Sequence, residues 1–302
     1  QGDFNTGGGV MRSLQDLAKL ADELDTDLHE AVLAADSEAT GVSPDEIFDI
    51  ISSRLKDMRR SAEEARRNTN PCRLVRETGS LIREYSDKGG MCGGFLLRAS
   101  AIALEVASYN ASMGRIVAAP TAGSCGILPG MLFSWEEFYG KDVADKDRTL
   151  TEALIVAGAV GEIIANRATL AGAEGGCQAE CGAAAAMGSS ALVYLRGGSC
   201  DAVSNAVALT LKSVLGLVCD PVGGLVESPC IKRNGLLVAV GALAADMALA
   251  GVTSLIPADE VIDAMGQIGR SIPPSLRETS RGGLAVTPTA RALLKEAGKI
   301  KS

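Results

Sequence analysis

A chain that must build its interior almost without aromatic rings has few ways to fold. Only 3% of these 302 residues are aromatic, while glycine occupies 35 positions and alanine is abundant throughout. Small side chains fill a core only where backbones approach closely, which points to tightly packed helices. The length allows one large domain or two small ones. With 47% hydrophobic and 22% charged residues, the composition is that of an ordinary soluble globular protein.

Apolar periodicity supports the helical reading. From Ser13 onward, Leu14, Leu17, Leu20, Ala21 and Leu24 fall on one face. A second helix is predicted to start at Ser43-Pro44, with Asp45 and Glu46 in its first turn. It should run through Ile47, Ile50, Ile51, Leu55 and Met58 and stop before Asn70-Pro71. Residues 11–70 therefore read as an amphipathic helical arm, with His29 at its surface or boundary. Residues 1–10, polar and Gly-rich, read as a linker or remnant without structure.

From Pro71 the texture becomes Gly-punctuated and Ala-rich. Helices are expected near 72–86, 94–112, 126–139, 148–171, 178–195, 200–217, 231–255, 258–268 and 288–297. Only Arg115–Ala119 offers a short strand signal. The expected fold class is all-α, with residues 71–302 as one multi-helix domain. Leu236–Ile256 is long enough to span a bilayer. Its small residues and internal Asp246 favour a fully buried central helix instead.

The net charge of −8 argues against nucleic acid and anionic membranes as partners. No basic start and apolar run marks an export signal, so a cytoplasmic, reducing location is expected. The chain has eight cysteines and one histidine. The single histidine leaves no second one for a His-rich zinc site.

The cysteines divide by context. Cys72, Cys92, Cys125 and Cys200 have no thiol neighbour within a turn and read as small core hydrophobes. Cys219 and Cys230 bracket C-D-P-V-G-G-L-V-E-S-P-C, too rich in Pro and Gly to be helical. Such a loop between apolar helices needs partners for its polar groups, which a bound cluster would supply. Cys177 follows Gly175-Gly176, which let the backbone pass close to a bulky object. It opens an Ala-rich helix, with Cys181 four residues on along the same face. On spacing alone these thiols are either a metal site, iron–sulfur or zinc, or scattered core cysteines.

Pro120-Thr121-Ala122-Gly123-Ser124 leads into a helix and suits an anion such as a substrate carboxylate. Simple capping by Ser124 is the alternative. Lys232, Arg233 and Asn234, just after Cys230, and Arg277 and Arg281 are further candidates for the substrate or for balancing charge. Lys88 and Ser86, beside Gly89-Gly90, are weaker ones.

Seven segments carry a resemblance to a known family. They are SDKGGMCGG (86–94), APTAGSCGILPG (119–130), GAEGGCQAECG (172–182), LVCDPVGGLVESPCIKRN (217–234), ADMALAG (245–251), IPADEVIDAM (256–265) and LRETSRGGLA (276–285). In order and over nearly the whole chain, they resemble the α subunit of the iron–sulfur-dependent L-serine dehydratases. The resemblance implies an all-α catalytic domain and a 4Fe–4S cluster held by Cys177, Cys219 and Cys230. Cys181 is not taken as a ligand there. One iron would lack a protein thiolate and act as a Lewis acid on the hydroxyl of L-serine, giving pyruvate and ammonia. It also implies a β subunit, a higher-order oligomer and no pyridoxal phosphate.

The base that removes the Cα proton has no candidate in this sequence, and the β subunit is expected to supply or complete it. The rival readings are a pyridoxal-phosphate dehydratase, an L-cysteine desulfidase and a non-catalytic iron–sulfur protein. The first calls for an α/β fold and a Schiff-base lysine, and neither Lys212 nor Lys232 has that context.

Overall fold

The structure is a computed structural model that describes residues 12–76 and 78–298; the segment 1–10 lies outside the described residues. Thirteen α-helices follow in chain order: α1 (Leu14–Leu24), α2 (Leu28–Thr40), α3 (Pro44–Arg67), α4 (Gly79–Ser86), α5 (Gly93–Ala111), α6 (Ile127–Tyr139), α7 (Lys146–Arg167), α8 (Gly172–Gly175), α9 (Ala183–Leu195), α10 (Cys200–Lys212), α11 (Cys230–Leu249), α12 (Ala258–Ser271) and α13 (Pro288–Glu296). The fold is all-α. Among the described residues, β-type pairing is confined to an isolated parallel bridge between Cys219 and Arg277. Arg115–Ala119 forms no strand, because it has no second segment to pair with.

Helix α9 is the centre, packed on by α6, α7, α10 and α11. Its residues Ala183 to Val193 are all buried. This is where the lack of rings becomes structure. A Cβ on Gly241 of α11 would stand 2.7 Å from the Ala185 carbonyl of α9, and one on Gly130 of α6 2.6 Å from the Ala99 carbonyl of α5. The helices meet backbone to backbone, leaving no room for larger residues.

The N-terminal arm contains three helices, one more than its periodicity suggests. Helix α3 starts as predicted: Ser43 and Glu46 form a reciprocal capping box with Pro44 in the first turn. Helix α2 is the addition, following a left-handed Asp25 that ends α1 without a glycine. Leu14, Leu17, Val32, Leu55 and Met58 of the arm join the same buried cluster as α7 and α9. His29 is buried rather than peripheral. The Tyr194 hydroxyl lies 2.8 Å from its Nδ1, and Glu152 lies 3.8 Å from its Nε2.

Another expectation changes. Residues 236–256 are not one buried helix: α11 ends at Leu249, and Leu236 and Leu243 lie on its exposed side. Among the described residues, α7 is the helix long and apolar enough to cross a membrane, and 67% of that stretch is buried within the molecule. It is a core helix packed against α2, α3 and α9.

Candidate active site

Four segments converge beside the N-terminal end of α9: the turn 121–126, the stretch 172–182, the loop 219–230 with the first turn of α11, and the strap 276–284. Gly176, at φ 77°, adopts a left-handed conformation, and a Cβ there would lie 2.8 Å from the Leu217 carbonyl. The object that the Gly175-Gly176 pair admits is thus the protein's own chain. The Gln178 N–H donates to that carbonyl at 3.1 Å. The Gln178 side chain is fully buried, accepting from the Gly216 N–H at 2.8 Å and donating to the Met265 carbonyl at 3.0 Å. Residues 178–182 then form a π-turn before α9. Such turns insert one residue into a helix and recur at functional sites.

Cys177, Cys181, Cys219 and Cys230 are all buried here as free thiols. The Cys181 thiol beside Cys177, helped by the Arg233 guanidinium, holds Cys177 below the usual thiol range against the opposing effect of burial. Cys181 moves up in response. Burial, and then the negative charge on Cys177, push Cys219 well above its usual range and Cys230 up to about 12. A set of buried thiols with a single guanidinium among them favours the protonated form until a cation is supplied. Bound iron would supply that cation, so the donor set fits an iron–sulfur group.

Among the described residues, no three His, Cys, Asp or Glu side chains converge as the ligands of one ion would. This speaks against a zinc site. A cluster is compatible with it, because each of its ligands binds a different iron and the ligands stand farther apart.

The loop 219–230 does not rely on such a group for its polar atoms. The Cys219 N–H donates to the Leu276 carbonyl at 2.9 Å, and the Glu278 N–H to the Cys219 carbonyl at 2.7 Å. Ser280 Oγ donates to the Pro221 carbonyl at 2.6 Å and accepts from the Gly224 N–H at 2.9 Å. Asp220 accepts from Arg233 at 2.9 Å and from the Leu284 N–H at 2.8 Å. Glu227, itself buried, accepts from the N–H groups of Arg73, Leu74 and Val75 at 3.0, 2.6 and 3.0 Å. The strap and the segment after the arm thus clamp the thiol-bearing loop from both sides.

The predicted polar residues separate in space. Asn234 is fully buried: it accepts from the Gly126 N–H at 2.9 Å and donates to the Gly123 carbonyl at 2.8 Å and the Cys230 carbonyl at 2.9 Å. It ties α11 to the 121–126 turn. Arg233 donates to the Val218 carbonyl at 2.7 Å as well as to Asp220. Lys232 and Arg281 are exposed. Arg277 donates to the Glu174 carbonyl at 3.3 Å, and its buried Nε has no acceptor in the protein. Within the turn, Thr121 and Ser124 cap each other, and Ser124 is fully buried. The N–H groups of Thr121, Ser124, Cys125 and Gly126 are all engaged internally. Among the described residues this leaves Ala122 and Gly123 as the turn's N–H groups without a protein acceptor.

Glu180 is the residue that sequence reasoning missed. It lies half-buried between two of the cysteines, accepting from Thr121 Oγ1 at 2.8 Å with its second oxygen 3.8 Å from Cys219 Sγ. An acid three residues after Cys177, in an otherwise Ala- and Gly-rich stretch, was the available signal. Larger clefts, such as one of about 830 Å³ lined by His29, Leu33, Phe48 and Arg148, lie away from the thiols.

Comparison with known proteins matches the chain to a family. Residues 23–285 match the model of the serine dehydratase alpha chain. The chain is 40% identical over 289 residues to a probable L-serine dehydratase alpha chain of Bacillus subtilis, covering 95% of each. It is 38% identical over 290 residues to the L-serine dehydratase alpha chain of Peptoniphilus asaccharolyticus, covering 95% of this chain and 98% of that one. L-serine dehydratase 1 of Escherichia coli matches at 40% over 185 residues, 61% of this chain but only 40% of that longer protein. All four segments of the thiol site lie within the matched span, and the chain belongs to the serine dehydratase alpha chain family.

Proposed function

We propose that this chain is the catalytic α subunit of an L-serine dehydratase that converts L-serine to pyruvate and ammonia with a 4Fe–4S cluster. The observation that carries the reading is the burial of Cys177, Cys219 and Cys230, with the Arg233 guanidinium acting on Cys177 and Cys230, beside a turn whose Ala122 and Gly123 N–H groups have no protein acceptor among the described residues. These three cysteines would hold the cluster. When bound, its open iron supplies Lewis-acid activation of the substrate hydroxyl.

The chain's own residues do the rest of the positioning. Arg233, oriented by Asp220, offsets thiolate charge at Cys177. The Ala122 and Gly123 N–H groups receive the substrate carboxylate, with Thr121 and Ser124 holding the turn in shape. Asn234 fixes that turn relative to Cys230. Removal of the Cα proton and departure of the hydroxyl as water leave an enamine. Its imine tautomer takes up one water to release pyruvate and ammonia. The base belongs to a second, β chain in this reading, supported by the alpha-chain names of the full-length relatives and by the greater length of the Escherichia coli protein. Eight free thiols suit the cytoplasm.

The test is anaerobic reconstitution with iron, sulfide and the partner chain, followed by assays with L-serine and L-cysteine. Pyruvate from serine at a higher kcat/KM than from cysteine is expected. Preference for cysteine with sulfide release would overturn the serine assignment. Cys177→Ser, Cys219→Ser and Cys230→Ser should each lose the visible absorbance of the cluster. Retention of iron in all three would refute the ligand set.

A further inference from the structure

Among the described residues, no cation pairs with the Glu180 carboxylate. It takes part in none of the ion pairs among the described residues. Glu278 on the strap adds a like charge, while Thr121 and the Cys219 thiol meet the carboxylate as neutral hydrogen-bond donors. The Arg233 guanidinium is committed to Asp220, the Val218 carbonyl and Cys177. A half-buried carboxylate beside a like charge is costly unless a cation meets it.

The surrounding residues hold the carboxylate in one place. Thr121 Oγ1 donates to Oε1 at 2.8 Å. A Cβ on Gly172 would stand 2.5 Å from Oε2, and one on Gly123 would stand 3.2 Å from Oε1. Glycine at both positions leaves Glu180 room to lie against the 121–126 turn. The turn is open to solvent at Ala122 and partly open at Thr121 and Gly123. One entrance therefore shows a ligand two features side by side: N–H groups without acceptors, and a carboxylate without a cation partner next to the thiols.

We propose that Glu180 binds the α-ammonium group of the substrate and so selects amino acids over the corresponding hydroxy acids. The inference rests on the serine dehydratase reading and deepens it. A zwitterionic amino acid matches the pair: its carboxylate meets the turn and its ammonium meets Glu180. This directs its β-substituent toward Cys177, Cys219 and Cys230. A charge-assisted hydrogen bond in a partly desolvated site contributes a factor on the order of 10 to 100 in affinity. A hydroxy acid lacks the ammonium and forfeits that factor.

The test uses the reconstituted holoenzyme with its partner chain under anaerobic conditions. L-Serine and L-glycerate, which carries a hydroxyl in place of the ammonium, are titrated against the cluster's spectrum to obtain Kd for each. Iron content is measured in every sample. Wild type should prefer serine. In Glu180→Gln, which keeps the shape and the Thr121 hydrogen bond, Kd for serine should rise on the order of 10- to 100-fold while Kd for glycerate stays the same or falls. An unchanged serine-to-glycerate ratio overturns the proposal. Parallel weakening of both ligands would mean a structural role, and loss of kcat alone a role in proton transfer. If Glu180→Gln fails to retain iron, Glu180→Asp decides by the same ratio. It should shrink by a smaller factor, and an unchanged ratio again overturns the proposal. Wild type that binds serine but forms no pyruvate would overturn the parent reading instead.

Discussion

Asn234 shows how one side chain can hold a site together. Its amide satisfies the Gly126 N–H and two carbonyls, and no solvent reaches it. Asn234→Ala leaves those groups buried and unpaired, so a loss of roughly 2–4 kcal/mol is expected by urea denaturation. Glu227→Gln keeps the shape but sets a donor against at least one of three N–H groups. It should lower stability by about 1–3 kcal/mol in the same measurement. The grouping of the thiols was legible in part, because Gly-Gly, Pro-Cys and the spacing from Cys219 to Cys230 mark a fixed backbone. The choice of Cys177, Cys219 and Cys230 as ligands came only from the family resemblance. Glu180 was not legible. A carboxylate's role depends on what faces it, and its partners come from residue 121 and residue 219, remote in the chain.

At the scale of elements, glycine has opposite meanings in two helices. Gly241 of α11 meets the Ala185 backbone, which cannot yield, so Gly241→Ala should destabilise by roughly 2–3 kcal/mol. Gly158 in the middle of α7 is exposed with nothing near an added Cβ, and Gly158→Ala should stabilise by about 0.5–1 kcal/mol. Thermal melts of the two variants should move in opposite directions.

Between α2 and α7, burial raises the Asp36 carboxyl, and burial followed by the charge of Asp36 raises Glu162. An acid raised in the folded state binds its proton more tightly there, so its contribution to stability falls as pH rises through the carboxylate range. Asp36→Asn should therefore stabilise the protein by roughly 0.5 kcal/mol at pH 7, after allowing for solvent screening, with the gain gone by about pH 4. Urea midpoints at the two pH values check this. Most helix positions could be read from apolar spacing. Helix α2 escaped because a non-glycine residue ends α1, and its own N-cap Asp27 makes no side-chain hydrogen bond. The π-turn escaped because packing against Leu217 and Met265, not local propensity, sets it.

At the scale of the whole molecule, the arm's helices share one core with α7 and α9. Trp135, the single tryptophan, lies in that core at 4% exposure. Its fluorescence should therefore report the same unfolding event as far-UV circular dichroism. Coincident urea transitions are expected. A variant lacking residues 12–70 should fail to give a cooperative transition, because α7, which packs against α2 and α3, would lose that cover.

The strap imposes an order on biosynthesis. Cys219 is held through the carbonyl of Leu276 and the N–H of Glu278, and Asp220 through Leu284. On the ribosome, the thiol-bearing loop emerges well before the segment that fixes it. The thiol site cannot close until nearly all of the chain has been released, so its completion is a step that follows translation. A cluster held as proposed would then have to be delivered to an already folded polypeptide.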